Sequence, residues 1–147
     1  MLIEFSVGNY RSFKEVVTFS MVAAPIVVSD SHLNINNLFS ATKEIELLKS
    51  AAIYGANASG KSNLVRAISF MKEFAINSVV GSRIASEIET ESYQLNIESE
   101  REPSYFEIVF IAGTTRYRYG FEVDRQSKMA LARIQYLIDK ILSLSHL

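Results

Sequence analysis

The chain contains no cysteine and only two histidines among its 147 residues. The first absence excludes a disulfide scaffold. With His32 and His146 as the only imidazoles, a classical zinc site is excluded as well. There is no excess of either charge: fifteen basic and sixteen acidic residues leave a formal net charge of -1. No global attraction to nucleic acid or to an anionic membrane follows, and any such binding must come from a local patch. No apolar run approaches the ~18 residues of a membrane-spanning helix. The segment Met21–Val28 is short and broken by Pro25, and it reads as a strand edge or buried loop. The first residues carry no basic region ahead of an apolar run, so they do not form a signal peptide. Cytoplasmic residence is the resulting expectation.

What is present suits one domain with a core. The hydrophobic fraction is 48% and the aromatic fraction 11%. A chain of this size buries roughly two thirds of the surface that its unfolded form exposes. Residues 2–7 alternate as a strand, and 14–20 read as a second, with Gly8-Asn9 opening the connection. Residues 29–43, rich in Ser, Asn, Asp and Thr, read as a surface loop. Residues 45–54 become continuously apolar, which predicts a buried strand of a parallel sheet. Beyond residue 60 the period is helical: Leu64, Ile68, Met71 and Ala75 form a stripe, with Ala67, Phe70 and Phe74 beside it. Residues 78–91 have no clear period and read as a linker or insertion.

The period then becomes two. Residues 92–98 predict a strand. Phe106, Ile108 and Phe110 share one face of the next, and Ala112–Thr115 turns around Gly113. Tyr117, Tyr119, Phe121 and Val123 share a face of the returning strand. Residues 127–144 predict an amphipathic helix with Ala130, Ile134, Leu137, Ile138, Ile141 and Leu142 on its apolar side. The expected organisation is a single α/β domain over 1–147. Strands, loop and helix occupy 1–77, an antiparallel β subdomain 92–124, and a C-terminal helix 127–144.

One motif carries chemistry. Gly55-Ala56-Asn57-Ala58-Ser59-Gly60-Lys61-Ser62 matches GxxxxGK[ST], the P-loop, with an apolar segment before it and a helix after it. The residue types follow from the task. Gly55 and Gly60 permit backbone angles that side chains disfavour, so the loop can curl around an anion. Its N–H groups converge as a nest, and the helix start adds its positive dipole end. Lys61 supplies a mobile point charge for the β- and γ-phosphates of ATP. Ser62 supplies a hydroxyl to Mg²⁺, which prefers oxygen ligands. A GTPase would carry an N-K-x-D element to read guanine, and none occurs.

Read more fully, the loop is GxNxSGKSN, with Asn57, Ser59 and Asn63 joining the pattern. It resembles the loop of ABC-type ATPase heads of the RecF, SMC and OLD branch, in which Ala58 would usually be glycine. Asn9-Tyr10-Arg11-Ser12-Phe13 resembles the N-[FY]-[RK]-S-F element of that branch. Residues 106–123, FEIVFIAGTTRYRYGFEV, resemble the antiparallel strands of OLD-like and abortive-infection ATPases. The resemblance covers residues 1–124. It implies a P-loop NTPase fold, the N-terminal lobe of an ABC-like head, with ATP and Mg²⁺ as cofactors. It implies action in DNA repair or phage defence.

It also implies that Arg11 lies near the nucleotide phosphates, against the plainer reading of a surface arginine in a turn. Tyr10 either packs near the base or is a half-buried aromatic, while Phe13 and Phe19 are core by pattern. Asn57 either orients the loop and contacts the γ-phosphate or attacking water, or serves the turn alone. The catalytic groups of such a head are not found: neither a Walker B aspartate followed by glutamate nor an LSGGQ segment. Asp124 and Asp139 are weak stand-ins. The expectation is therefore an incomplete head, whether excerpt, truncated product or split subunit. It would be completed by a second lobe or head, from a homodimer or a partner chain. The alternative is a nucleotide-dependent interaction module without catalysis. Arg116 and Arg118, opposite Tyr117 and Tyr119, are candidates for nucleic-acid phosphates, although net charge gives this no support and a solvated strand face is the plainer account.

Overall fold

The computed structural model describes residues 1–26, 36–42, 45–79, 90–96, 99–124, 130–131 and 139–140. Its framework is an antiparallel sheet covered by one helix. Strand β1 (Leu2–Gly8) pairs with β2 (Val17–Ser20) on one side and β5 (Ser104–Ala112) on the other. β6 (Thr115–Val123) returns beside β5 through Gly113, whose φ of 62° suits a tight hairpin. Two short strands, β7 (Ala130–Leu131) and β8 (Asp139–Lys140), pair with the outer side of β6. β3 (Leu38–Ser40) and β4 (Glu46–Leu48) form a separate antiparallel pair.

Helix α1 (Lys61–Val79) lies on one face of the sheet. Ala67, Met71 and Phe74 are buried, and they pack with Phe5, Val7, Tyr10, Phe106, Phe121 and Val123. The rings form a chain: Phe74 stacks on Phe121, Phe121 on Phe106, and Phe106 meets Tyr10 edge-on at 5.2 Å. Such pairs add to the stabilisation from burial alone.

The opposite face has its own cluster of Ile3, Leu47, Val109 and Ile111. Ile3 reaches it because the β1–β5 register shifts between Leu2 and Glu4. The extra residue of this β-bulge turns its side chain away from the face carrying Phe5 and Val7. The segment after β2 holds β4 in place: Ala23 N–H donates to the Glu46 carbonyl at 2.8 Å, and Leu48 N–H to that of Met21 at 2.7 Å.

Several expectations are corrected. The strand predicted over 45–54 is limited to Glu46–Leu48 and is antiparallel. Residues 51–56 are irregular, with Ile53 46% and Tyr54 90% exposed. An apolar run becomes a buried parallel strand only where neighbours cover it, and no described strand pairs with residues 51–54. Residues 38–40, read as loop, are a strand because β4 supplies their partners.

The strand predicted over 92–98 is irregular through its described part, 92–96. Tyr93 N–H bonds instead to Asn9 Oδ1 in the turn after β1, and the carbonyl of Glu91, just before this stretch, accepts from Arg11 N–H. In α1 the buried row runs through Ala67, Met71 and Phe74, leaving Ile68 36% exposed. Small Ala67 lies against the sheet, and one residue further turns Ile68 about 100° away.

Against the helix expected over 127–144, Ala130–Leu131 and Asp139–Lys140 are extended. Their pairing with β6 satisfies backbone groups that an open edge leaves exposed. The other residues of that segment lie outside the described residues, as do those of the expected linker between 80 and 89. No helix among the described residues is long and apolar enough to cross a membrane.

Candidate phosphate-binding site

The loop Gly55–Gly60 joins the irregular segment 51–54 to the first turn of α1. It curls through two residues in the left-handed region, Ala58 at φ 63° and Gly60 at φ 90°. For Gly60 this conformation costs little, whereas Ala58 meets the Cβ penalty. Gly55, against expectation, is not in the left-handed region; a Cβ there would lie 2.7 Å from Ser59 Oγ, so the serine hydroxyl would have to turn aside. Ser59 N–H closes the turn onto the Ala56 carbonyl at 3.3 Å. The Gly60 carbonyl accepts from Asn63 N–H at 2.9 Å and Leu64 N–H at 3.2 Å, which starts the helix.

The first turn of α1 contains no acidic residue. Its positive dipole end is therefore not offset by a local carboxylate, which favours an anion. The Lys61 ammonium folds over the loop, donating to the Gly55 carbonyl at 2.8 Å, the Ala56 carbonyl at 2.6 Å and Ser59 Oγ at 3.2 Å. Three protons thus have three oxygen acceptors. Phosphate oxygens would compete for the same protons with the advantage of full charge.

Ser62 is exposed at the second helical position. Its hydroxyl has the hard-oxygen chemistry that Mg²⁺ prefers. Asn57 lies exposed at the tip of the turn. Asn63 is engaged at both ends of its amide: Nδ2 donates to Ser12 Oγ at 2.9 Å, and Oδ1 accepts from Arg66 Nη1 at 3.2 Å.

The N-Y-R-S-F element stands directly against this loop. Reciprocal backbone bonds between Tyr10 and Phe13, at 2.9 and 2.8 Å, close a tight turn with Arg11 and Ser12 at its tip. Asn9, at φ 45° and 5% exposed, anchors it. Its Nδ2 donates to the Ser99 and Glu102 carbonyls, each at 2.7 Å, while Ser104 Oγ donates to the Asn9 carbonyl at 2.6 Å. Tyr10 is a core residue at 4% exposed, deeper than the half-buried aromatic of its plainer reading. Phe13 packs against the same core, and Phe19 is half-buried.

The Arg11 guanidinium is held by Glu91, with Nη2 2.6 Å from Oε1, and Nε donates to the Tyr10 hydroxyl at 3.2 Å. Ser12 and Glu91 were not singled out as functional in the sequence. The S of N-Y-R-S-F was the one available signal for Ser12. Nothing local marks Glu91, which meets Arg11 across eighty positions.

The stand-ins for a catalytic carboxylate separate in space. The backbone of Asp139 lies opposite that of Arg116 in the β6–β8 ladder, near the Ala112–Thr115 turn. That is the end of the sheet opposite Gly8, seven residues or ~23 Å of strand from Val123. Asp124 follows Val123 at the end nearer the N-Y-R-S-F turn. No group of three or more His, Cys, Asp or Glu side chains among the described residues could hold a metal. Arg118 is half-buried and bonded to Glu107 at 3.3 Å, a diagonal cross-strand pair, so one of the two candidate nucleic-acid arginines is already neutralised.

Loop and helix start have the form of a P-loop in a chain of mixed α/β structure. The chain belongs to the family described as "AAA domain, putative AbiEii toxin, Type IV TA system", which it matches over residues 50–141, more than half its length. Families of this P-loop class generally bind ATP with Mg²⁺. The match takes in the loop, α1, β5 and β6; β1 and the N-Y-R-S-F turn precede it. No curated protein and no solved structure matches the chain.

Proposed function

We propose that the loop Gly55–Ser62 binds Mg²⁺-ATP as part of the N-terminal lobe of a RecF/SMC/OLD-like ATPase acting in DNA repair or phage defence. Hydrolysis then requires groups that the described residues do not bring to the loop. One observation chiefly supports the nucleotide site. A loop with Ala58 and Gly60 in the left-handed region feeds a 19-residue helix free of acidic residues in its first turn, with the Lys61 ammonium over it.

In this reading the N–H groups of 56–62 and the helix start hold the phosphates, and Lys61 exchanges its carbonyl partners for β- and γ-phosphate oxygens. Ser62 offers its hydroxyl to Mg²⁺. The metal would supply charge neutralisation between the phosphates. Arg11 would reach the phosphates only after leaving Glu91. A second lobe or head, from a like or unlike chain, would cover the γ-phosphate.

Calorimetric titration of Mg²⁺-ATP against the chain and its Lys61→Ala variant tests the site. Binding that vanishes in the variant is expected; equal affinity overturns the proposal. Turnover by the pure chain should be far below 1 per second, a low value among enzymes. A rate of about 1 per second that is lost in Lys61→Ala would overturn the incomplete-head part alone.

A further inference from the structure

The loop has a neighbour outside the P-loop motif, Ser12 of the N-Y-R-S-F turn. Gly60 is the last residue before the helix, and a Cβ built on it would lie 2.9 Å from Ser12 Oγ. The same oxygen accepts the Asn63 amide at 2.9 Å. The Ser12 hydroxyl therefore bonds Asn63 on one side of Lys61 and Ser62 and, on the other, occupies the space that a Cβ on Gly60 would need. Ser12 and Asn63 are 51 positions apart, so nothing in the local sequence requires the contact.

Ser12 rests on a rigid support. Tyr10 and Phe13 close its turn, Tyr10 is fixed in the aromatic core, Asn9 is buried and bonded to the 99–104 segment, and Arg11 is tied to Glu91. The partner side is fixed too, because Arg66 on Asn63 Oδ1 leaves Nδ2 facing Ser12. A turn held from one side thus bears on the beginning of α1 from the other. The loop needs such a brace, since Ala58 sits at φ 63° without glycine's freedom, and strained backbone persists only where its surroundings over-determine it.

We propose that Ser12 is a positioning residue for the phosphate loop. It fixes Gly60 and Asn63 so that the N–H groups of Lys61 and Ser62 converge on the phosphates before the ligand arrives. Ser12 does not itself touch the nucleotide. The proposal rests on the nucleotide-binding reading above and extends it to a residue outside the family match. Preorganisation of this kind acts on affinity, because the loop is spared ordering when the anion binds.

The test is Mg²⁺-ATP titration of the full chain with Ser12→Ala, Ser12→Thr, Asn63→Ala, the Ser12→Ala/Asn63→Ala double variant and Lys61→Ala, each also melted without nucleotide. Ser12→Ala should weaken ATP about 3- to 10-fold, the range of one net hydrogen bond. Ser12→Thr keeps the hydroxyl and should restore most of that loss, which a simple packing role would not do. The double variant should be weaker than wild type by clearly less than the product of the two single effects.

Wild-type affinity in Ser12→Ala, with binding abolished in Lys61→Ala, overturns the positioning role and leaves the loop reading intact. Unchanged affinity in Lys61→Ala overturns the loop reading and this proposal with it. Should Ser12→Ala fail to fold, Asn63→Ala decides: an unchanged dissociation constant overturns the proposal, and a several-fold loss that Ser12→Thr does not share supports it.

Discussion

The rings of Phe74 and Phe121 stack with centroids 3.8 Å apart and planes 20° from parallel. This contact joins α1, which begins at the phosphate loop, to β6 of the hairpin. Phe74 is 6% exposed and Phe121 1%. Phe74→Ala removes a buried ring and should lower stability by about 3–5 kcal/mol. Phe74→Leu should retain much of that. Denaturant unfolding of both variants checks the order, and equal losses would show that ring stacking contributes little.

Ala58 occupies a left-handed position that glycine adopts freely. Ala58→Gly should relieve about 1 kcal/mol of backbone strain, offset in part by the greater freedom of the unfolded chain. Within the proposed site, ATP should bind as tightly or several-fold tighter. Gly60→Ala is the opposite case, since it combines φ 90° with a contact 2.9 Å from Ser12 Oγ. Calorimetry should show at least a tenfold loss there, on the order of the strain introduced. Reversal of this order would mean that the bound loop has a different backbone from the one described.

Arg11 has one carboxylate partner in hand. For it to serve a phosphate, the Glu91 contact must break. Glu91→Gln should then tighten ATP by about 2- to 5-fold, the measure of a partly exposed ion pair, while Arg11→Ala weakens it. If neither variant moves the dissociation constant, Arg11 is a structural tie between the turn and the 90–96 segment, as its plainer reading held.

Tyr105 gives a pH dependence. Burial pushes its phenol from 10.0 up to about 12, helped by the hydrogen bond and charge of Glu107 and opposed by Arg118. Below pH 10 the phenol is protonated in folded and unfolded chains alike. As pH rises from 10 towards 12 the unfolded chain loses this proton first, so the contribution to stability falls across that window. Tyr105→Phe should flatten the loss between pH 10 and 12 relative to wild type, measured as the difference in urea midpoints. Parallel curves would rule out Tyr105 as the cause.

Local signals served the sequence reading well and long-range ones did not. β1, the β5–β6 hairpin and α1 all carry their period in consecutive residues, and each forms where it was expected. The loop was legible because its chemistry is contiguous from Gly55 to Ser62. The rotation of the buried row from Ile68 to Ala67 was not legible, because both residues are apolar and only the sheet decides between them. Residues 92–96 do not form a strand for a related reason: Tyr93 N–H is taken by Asn9, eighty-four positions upstream, and adjoining Glu91 by Arg11, eighty positions upstream. Ser12 was printed in the motif, but its role emerges only once the turn is set against Gly60.

The single extra residue at Ile3 has a consequence for how this domain can vary. Removing it would restore an unbroken ladder in which Leu2 and Glu4 are neighbours opposite Phe110 and Val109. The helix side, with the phosphate loop, would keep every one of its members. The far side would lose Ile3 from beside Leu47, Val109 and Ile111. One inserted residue therefore makes the two layers separately editable. The cluster around Leu47 can be altered at this position while the face carrying Phe5 and Val7 keeps its phase.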